Sequence, residues 1–225
     1  MANTLGANQI IWTNKASLTV PNLKRSLVQS LDLDVHQTDR IMIVGPSGCG
    51  KTSLLRMFSG LWKPSEGACR AKSFQQGVIF VPQRPYLFTA SLSELLHYRS
   101  PSAPLAKKDL AALLNSVNLA ELLDQHPDTE QPVEWQRVLS VGEQQRIAFA
   151  RVLLSGSQFA LLDEAKSALD PNNERSVYQL LKRRGMGYIS IGHRSSLIEH
   201  HEKVLKLDTD GCRAVMPAQD FSFDD

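Results

Sequence analysis

One eight-residue loop carries the plainest chemistry in this chain. Gly45-Pro46-Ser47-Gly48-Cys49-Gly50-Lys51-Thr52 follows the apolar run Ile41 to Val44 and leads, through Ser53, into Leu54, Leu55, Phe58 and Leu61 at helical spacing. The loop has the form G-x-x-x-x-G-K-[ST]. Glycines let the backbone curl so that successive N–H groups point inward at phosphate oxygens. The following helix adds its unpaired N–H groups and the positive end of its dipole. Lys51 reaches the β- and γ-phosphates, and the Thr52 hydroxyl is placed to ligate Mg²⁺. A glycine-rich turn with a surface lysine is the plain alternative. The strand before and the helix after favour a nucleoside triphosphate site over Gly45 to Ser53.

A site of this kind needs an acid at the end of a second apolar strand. Phe159-Ala160-Leu161-Leu162-Asp163-Glu164 supplies one. Asp163 would hold Mg²⁺ through water, and Glu164 would polarise the attacking water as general base. Leu139-Ser140-Val141-Gly142-Glu143-Gln144-Gln145-Arg146 stands shortly before. Taken alone, Ser140-x-x-Glu143 reads as a capping box opening a helix through Ile147, Ala150, Val152 and Leu154. Cys49 sits beside Lys51 at a helix N-terminus, where a thiol pKa falls, or else it is a small tolerated side chain.

Several elements must position these groups. Residues 9–36 alternate as antiparallel strands, with a turn at Pro21-Asn22. Trp62 to Gly67 is turn chemistry ending the first helix, and Gly77 to Val81 is a short apolar strand stopped by Pro82. Over residues 91–125 leucines recur at helical intervals and strand signals are absent. A helix from about 143, a strand at 159–162, a helix near 172–184 and a strand at 188–191 follow. A terminal hairpin flanks Asp208-Thr209-Asp210-Gly211. The pattern predicts an α/β domain over 1–225 with a mostly parallel core sheet (residues 1–83 and 156–225), an N-terminal antiparallel β-subdomain and an inserted helical subdomain (84–155).

The totals narrow the function. At 225 residues there is ample chain for a core. The 25 Lys and Arg nearly balance the 23 Asp and Glu, so no global field argues for nucleic acid. Three scattered cysteines without a C-x-x-C favour a reduced environment over disulfides or zinc. No run approaches the length of a membrane helix, and no signal peptide is visible, so the chain reads as soluble by itself.

Together these motifs resemble the nucleotide-binding domain of an ABC transporter over essentially the whole chain. LSVGEQQRIAFAR is similar to that family's LSGGQ signature, whose serine and glycine bind the γ-phosphate of ATP held on the opposite subunit. The resemblance assigns Ser140, Gly142 and Glu143 to that contact. It makes Gln83, in VPQRPYLF, the glutamine that senses Mg²⁺ and couples to the membrane partner. It makes Asp170, in Ser167-Ala168-Leu169-Asp170, part of the D-loop, and His193 the switch histidine. PQRPYLFTASLSELL and the tryptophan at 135 resemble a branch containing peroxisomal fatty-acyl half-transporters, the bacterial peptide-uptake type and cyanobacterial relatives.

Four positions depart from the pattern, one of them Glu143, which replaces the usual glutamine as is common in this branch. Val141 replaces a glycine, where a backbone N–H suffices if φ is negative. Lys166 replaces the usual threonine and would lower the pKa of the nearby carboxylate. Pro21 falls where an adenine-stacking aromatic is expected. The resemblance implies an Mg-dependent ATPase, with ATP and Mg²⁺ as cofactors, acting as a homodimer or related heterodimer. Its partner would be a membrane-spanning domain, of the same chain or a separate subunit, at the cytoplasmic face of a membrane. No nucleic-acid partner is expected. A soluble ABC ATPase unconnected with transport and a non-hydrolysing regulatory subunit are the alternatives.

Overall fold

The computed structural model describes residues 5–20, 25–98, 105–163, 171–211 and 213–223. Chain contacts divide it into two units: residues 1–80, 158–164 and 181–225, and residues 81–157 with 165–180.

The first unit is built on β3 (Arg40–Val44), whose residues 41–44 are buried. Such a run has no polar face to turn to water, which suits a central strand of a parallel sheet, its backbone paired by a neighbour on each edge. These are β9 (Gly187–Ile191) and β10 (Lys203–Leu207), both parallel to it. Ile43 stands level with Ile191 on one side and Leu205 on the other. β8 (Phe159–Leu162) pairs parallel with β9, and β5 (Val78–Val81) continues beyond β8. At the opposite edge β11 (Arg213–Pro217) returns antiparallel along β10, completing a six-stranded sheet.

The N-terminal strands β1 (Gln9–Thr19) and β2 (Ser26–His36) pair antiparallel, as their alternation requires. A third strand, β4 (Glu66–Ala71), lies on the other side of β1. The sequence predicts only a turn through Gly67, and Glu66-Gly-Ala-Cys-Arg-Ala carries no alternation that marks a strand. Its ladder with β1 makes it one. Gly67 has φ +72, and a Cβ there would stand 2.1 Å from the Lys15 carbonyl oxygen, so only glycine lets the strands close up.

α1 (Lys51–Phe58) sets Leu54, Leu55 and Phe58, each 0 % exposed, into one core with Ile11, Val28 and Val35 of the small sheet and Ile43 and Ile189 of the large one. Burying each large side chain is worth about 1.5–3 kcal/mol. Leu61 does not continue this face. The helix ends at Phe58, and Leu61 is 66 % exposed beyond it.

The second unit is mainly helical, with α2 (Leu92–Leu96), α3 (Lys107–Ser116), α4 (Leu122–Gln125), α5 (Trp135–Val138) and α6 (Val141–Leu154). It also holds a two-stranded ribbon that the leucine spacing does not reveal, β6 (Thr89–Ala90) against β7 (Val133–Glu134). The Trp135 indole N–H donates to the Ala90 carbonyl at 2.8 Å and ties α5 to it. α7 spans Pro171–Arg183.

Candidate functional site

β3 ends at Val44 and hands the chain to the glycine-rich loop. Gly45 has φ +145, and a Cβ there would lie 2.3 Å from the Leu207 carbonyl oxygen. Gly50, at φ +107, caps α1 without a side chain, and no acid lies in the helix's first turn. The N-terminal N–H groups of α1 therefore face no local carboxylate, as a phosphate cradle requires. Lys51 is buried, and its ammonium donates to the Gly45 carbonyl at 2.8 Å and the Pro46 carbonyl at 2.7 Å. The cation is thus folded over its own loop. Cys49 is also buried, in the core cluster, which suits plain packing of a small side chain.

Asp163 follows β8 directly and is 4 % exposed. The Thr52 hydroxyl donates to its Oδ1 at 2.9 Å, across 111 positions of sequence. A hydroxyl and a carboxylate meeting here form a hard-oxygen donor pair, the kind Mg²⁺ accepts. His193 lies exposed two residues beyond β9. Because β3, β9 and β8 are adjacent and parallel, the loop, His193 and Asp163 all emerge at the carboxyl ends of neighbouring strands. Open α/β sheets bind ligands at that edge.

The segment around His193 is braced by residues that sequence reasoning passed over. The Gly192 N–H donates to the Ile43 carbonyl at 3.0 Å. A buried pair, Ser190 Oγ and His201 Nε2, stands at 2.7 Å. His201 Nδ1 lies 2.7 Å from the Leu197 carbonyl, which only accepts, so Nδ1 carries the proton and Nε2 takes the Ser190 hydroxyl. Two polar residues eleven apart leave no local signal of pairing.

In the second unit, Gln83 is exposed just beyond β5, and Ser140 is the exposed N-cap of α6. The capping box is formed. Glu143 N–H donates to Ser140 Oγ at 3.4 Å, and one Glu143 oxygen accepts from the Ser140 backbone N–H at 2.8 Å and hydroxyl at 2.6 Å. The Ser140 hydroxyl is the chief cause that holds the Glu143 carboxyl below its ordinary pKa. The Ser140 N–H and Arg146 help, and partial burial opposes them. Val141 opens α6 and is 61 % exposed; its φ is negative, so its backbone N–H is presented as a glycine's would be.

Two more residues of α6 are functional candidates that the sequence did not single out. Gln145 is 1 % exposed, and its amide N–H₂ donates to the Gln83 carbonyl. Arg151 donates through Nε to the Leu95 carbonyl at 2.8 Å and through Nη1 to the Tyr86 carbonyl at 2.7 Å. Its guanidinium lies over the Tyr98 ring, 5.2 Å from the centroid. Burial lowers the Arg151 pKa to about 10, which still leaves it charged at neutral pH. Glu164, Lys166, Asp170 and Pro21 lie outside the described residues.

Known proteins share both pattern and fold. Residues 28–167 match the family model described as ABC transporter. An ABC transporter ATP-binding protein of Synechocystis is 40 % identical over 201 residues, covering 89 % of this chain and 30 % of the relative. The chloroplastic ABC transporter D family member 2 of Arabidopsis thaliana is 37 % identical over 86 % of this chain and 34 % of its own. The human lysosomal cobalamin transporter ABCD4 is 37 % identical over 89 % of this chain and 35 % of its own. The chain therefore spans about a third of the length of these relatives. A bacterial Atm1-family ABC exporter solved with ATP bound shares the fold, with a TM-score of 0.81 at 24 % identity over 98 % of this chain and 41 % of the exporter chain. Among the described residues no helix is long and apolar enough to cross a membrane. The family match and these relatives, joined to the loop, acid and signature described above, place the chain in the ABC transporter family, as an ATPase domain of that family.

Proposed function

We propose that this chain is the ATP-hydrolysing motor of an ABC half-transporter, and that two copies, or one copy and a related chain, sandwich two Mg-ATP. The observation that carries the reading is the Thr52–Asp163 contact at 2.9 Å, beside a lysine with two carbonyl partners in the loop. It joins the two halves of a nucleotide site that are remote in sequence.

In this reading Lys51 leaves its loop carbonyls for the β- and γ-phosphates, whose formal charge makes them the stronger acceptors. N–H groups from Gly45 through Ser53 surround the phosphate oxygens. Thr52 and Asp163 would hold Mg²⁺, which neutralises charge on the phosphates when bound, and Gln83 takes the Mg²⁺-sensing role that the family resemblance implies. Glu164, next after Asp163, accepts the proton of the attacking water, and His193 donates a hydrogen bond to the γ-phosphate. The partner's Ser140, Gly142 and Glu143 region completes the site, with Asp170 across the interface. Catalysis then rests on positioning and electrostatics. Closure on ATP and reopening after hydrolysis drive a membrane-spanning domain, held in the same longer chain or in a separate subunit, from the cytoplasmic face of a membrane. The length of the relatives supports a further domain of that kind.

Light-scattering mass of Glu164→Gln, with and without Mg-ATP, tests this. A dimer only with Mg-ATP is expected. A monomer under both conditions counts against the sandwich.

A further inference from the structure

Residues 82–88, between β5 and β6, have no regular secondary structure, and Gln83 lies exposed within them. α6 grips this stretch by side chains. Gln145 donates to the Gln83 carbonyl, and Arg151 donates to the Tyr86 carbonyl and, beyond β6, to that of Leu95. Both side chains are at least nine-tenths buried, whereas the segment they hold is largely at the surface.

The amide of Gln145 is only half satisfied. Among the described residues its buried Oε1 finds no hydrogen-bond partner, a cost that a leucine of similar volume would not carry. Packing alone does not account for an amide here; donation to one chosen carbonyl does. The same helix begins at Ser140, five residues earlier, which is about 7.5 Å along a rigid helix.

We infer that Gln145 is a positioning residue: it fixes the main chain at Gln83 to the helix that begins at Ser140, so that the glutamine and the signature move as one piece. This rests on the proposed roles of Gln83 at Mg²⁺ and Ser140 at the opposite ATP. Gln145 touches neither ligand and acts through the Gln83 backbone. Arg151 anchors the following residues to the same helix.

The test is a titration of the whole chain with a fluorescent ATP analogue, in Mg²⁺ and in EDTA, for wild type, Gln83→Ala, Gln145→Leu and the double variant. Gln83→Ala should lower the gain in affinity that Mg²⁺ gives. Gln145→Leu should lower it too, by up to about tenfold, the scale of one lost hydrogen bond, while metal-free affinity stays within about twofold. The double variant should be no worse than Gln83→Ala, because both changes act on one group. Losses that multiply, or an undiminished Mg²⁺ gain in Gln145→Leu, overturn the inference and leave Gln145 a structural residue. If Gln145→Leu fails to fold, Gln145→Met keeps the length without the donor, and an undiminished gain there overturns it equally. An unaltered gain in Gln83→Ala would remove the metal role of Gln83, and this inference with it. A loss in Gln83→Ala alone would remove only the inference.

Discussion

In the proposed site Lys51 is a charged group that exchanges one set of partners for another. Its ammonium is buried and satisfied by two neutral carbonyls of its own loop. A phosphate oxygen meets the ammonium with a formal negative charge where a carbonyl offers only a dipole, so the exchange favours nucleotide. Lys51→Ala should weaken ATP binding by about 100-fold, measured by calorimetric titration, since hydrogen bonds to charged groups are worth 1.5–3 kcal/mol. Unchanged affinity would remove the loop from the site.

Glu143 is a residue whose charge is set by its cap contacts. Its carboxyl titrates below the ordinary value of 4.5 because it accepts from the Ser140 hydroxyl and N–H. A folded-state pKa lowered in this way adds stability that is complete above the unfolded value and fades as pH falls through the folded one. The melting-temperature difference between wild type and Glu143→Gln should therefore shrink below about pH 4.5, because the carboxylate loses the charge that distinguishes it. A difference constant through that range would mean the cap does not depend on the carboxylate.

At the scale of elements, α6 serves several tasks. Its first turn is a capping box, its second turn holds Gln83, and its later turns hold Tyr86 and Leu95. The capping box is formed by the residues that resemble the signature, and the Ser140 hydroxyl, which donates to Glu143, would have to turn from that carboxylate to reach a phosphate. Ser140→Ala should cost about 1 kcal/mol of stability as a lost N-cap, read by thermal unfolding. In a Glu164→Gln background it should also weaken ATP-dependent pairing, while one-subunit ATP binding is spared. Intact pairing would leave Ser140 a helix cap alone. What the sequence disclosed at this scale follows local contrast. β3 and β8 are unbroken apolar runs, and β1 and β2 alternate. β4 was illegible because its strand character comes only from lying along β1. The ribbon of β6 and β7 joins two residues to two others more than forty positions away, too short a run to show any period. Leu61 kept helical spacing by chance, after the helix had ended.

At the scale of the molecule, the chain corresponds to about a third of proteins that include named transporters. A shared-site dimer predicts that phosphate release by the wild type rises faster than linearly with protein concentration, because two chains must meet to complete each site. Strictly linear release over concentrations at which light scattering shows mostly monomer would place all catalytic groups within one chain.

The sequence by itself determined the glycine-rich loop between strand and helix, the acid after an apolar strand, the capped helix start at Ser140 and the alternation of strands and helices. Each is local, since it depends on glycine freedom, charge or periodicity within about a dozen neighbouring residues. Only the tertiary structure decided that Thr52 meets Asp163, that Ser190 and His201 brace the chain near His193, and that Gln145 and Arg151 seize carbonyls of the glutamine segment. Apart from Ser190 and His201, eleven residues apart, those contacts join groups sixty or more positions apart along the chain. A pairing of this kind exists only after parallel strands and packed helices have met the cost of closing the loops between them, and that closure leaves no periodic trace in the residues it brings together.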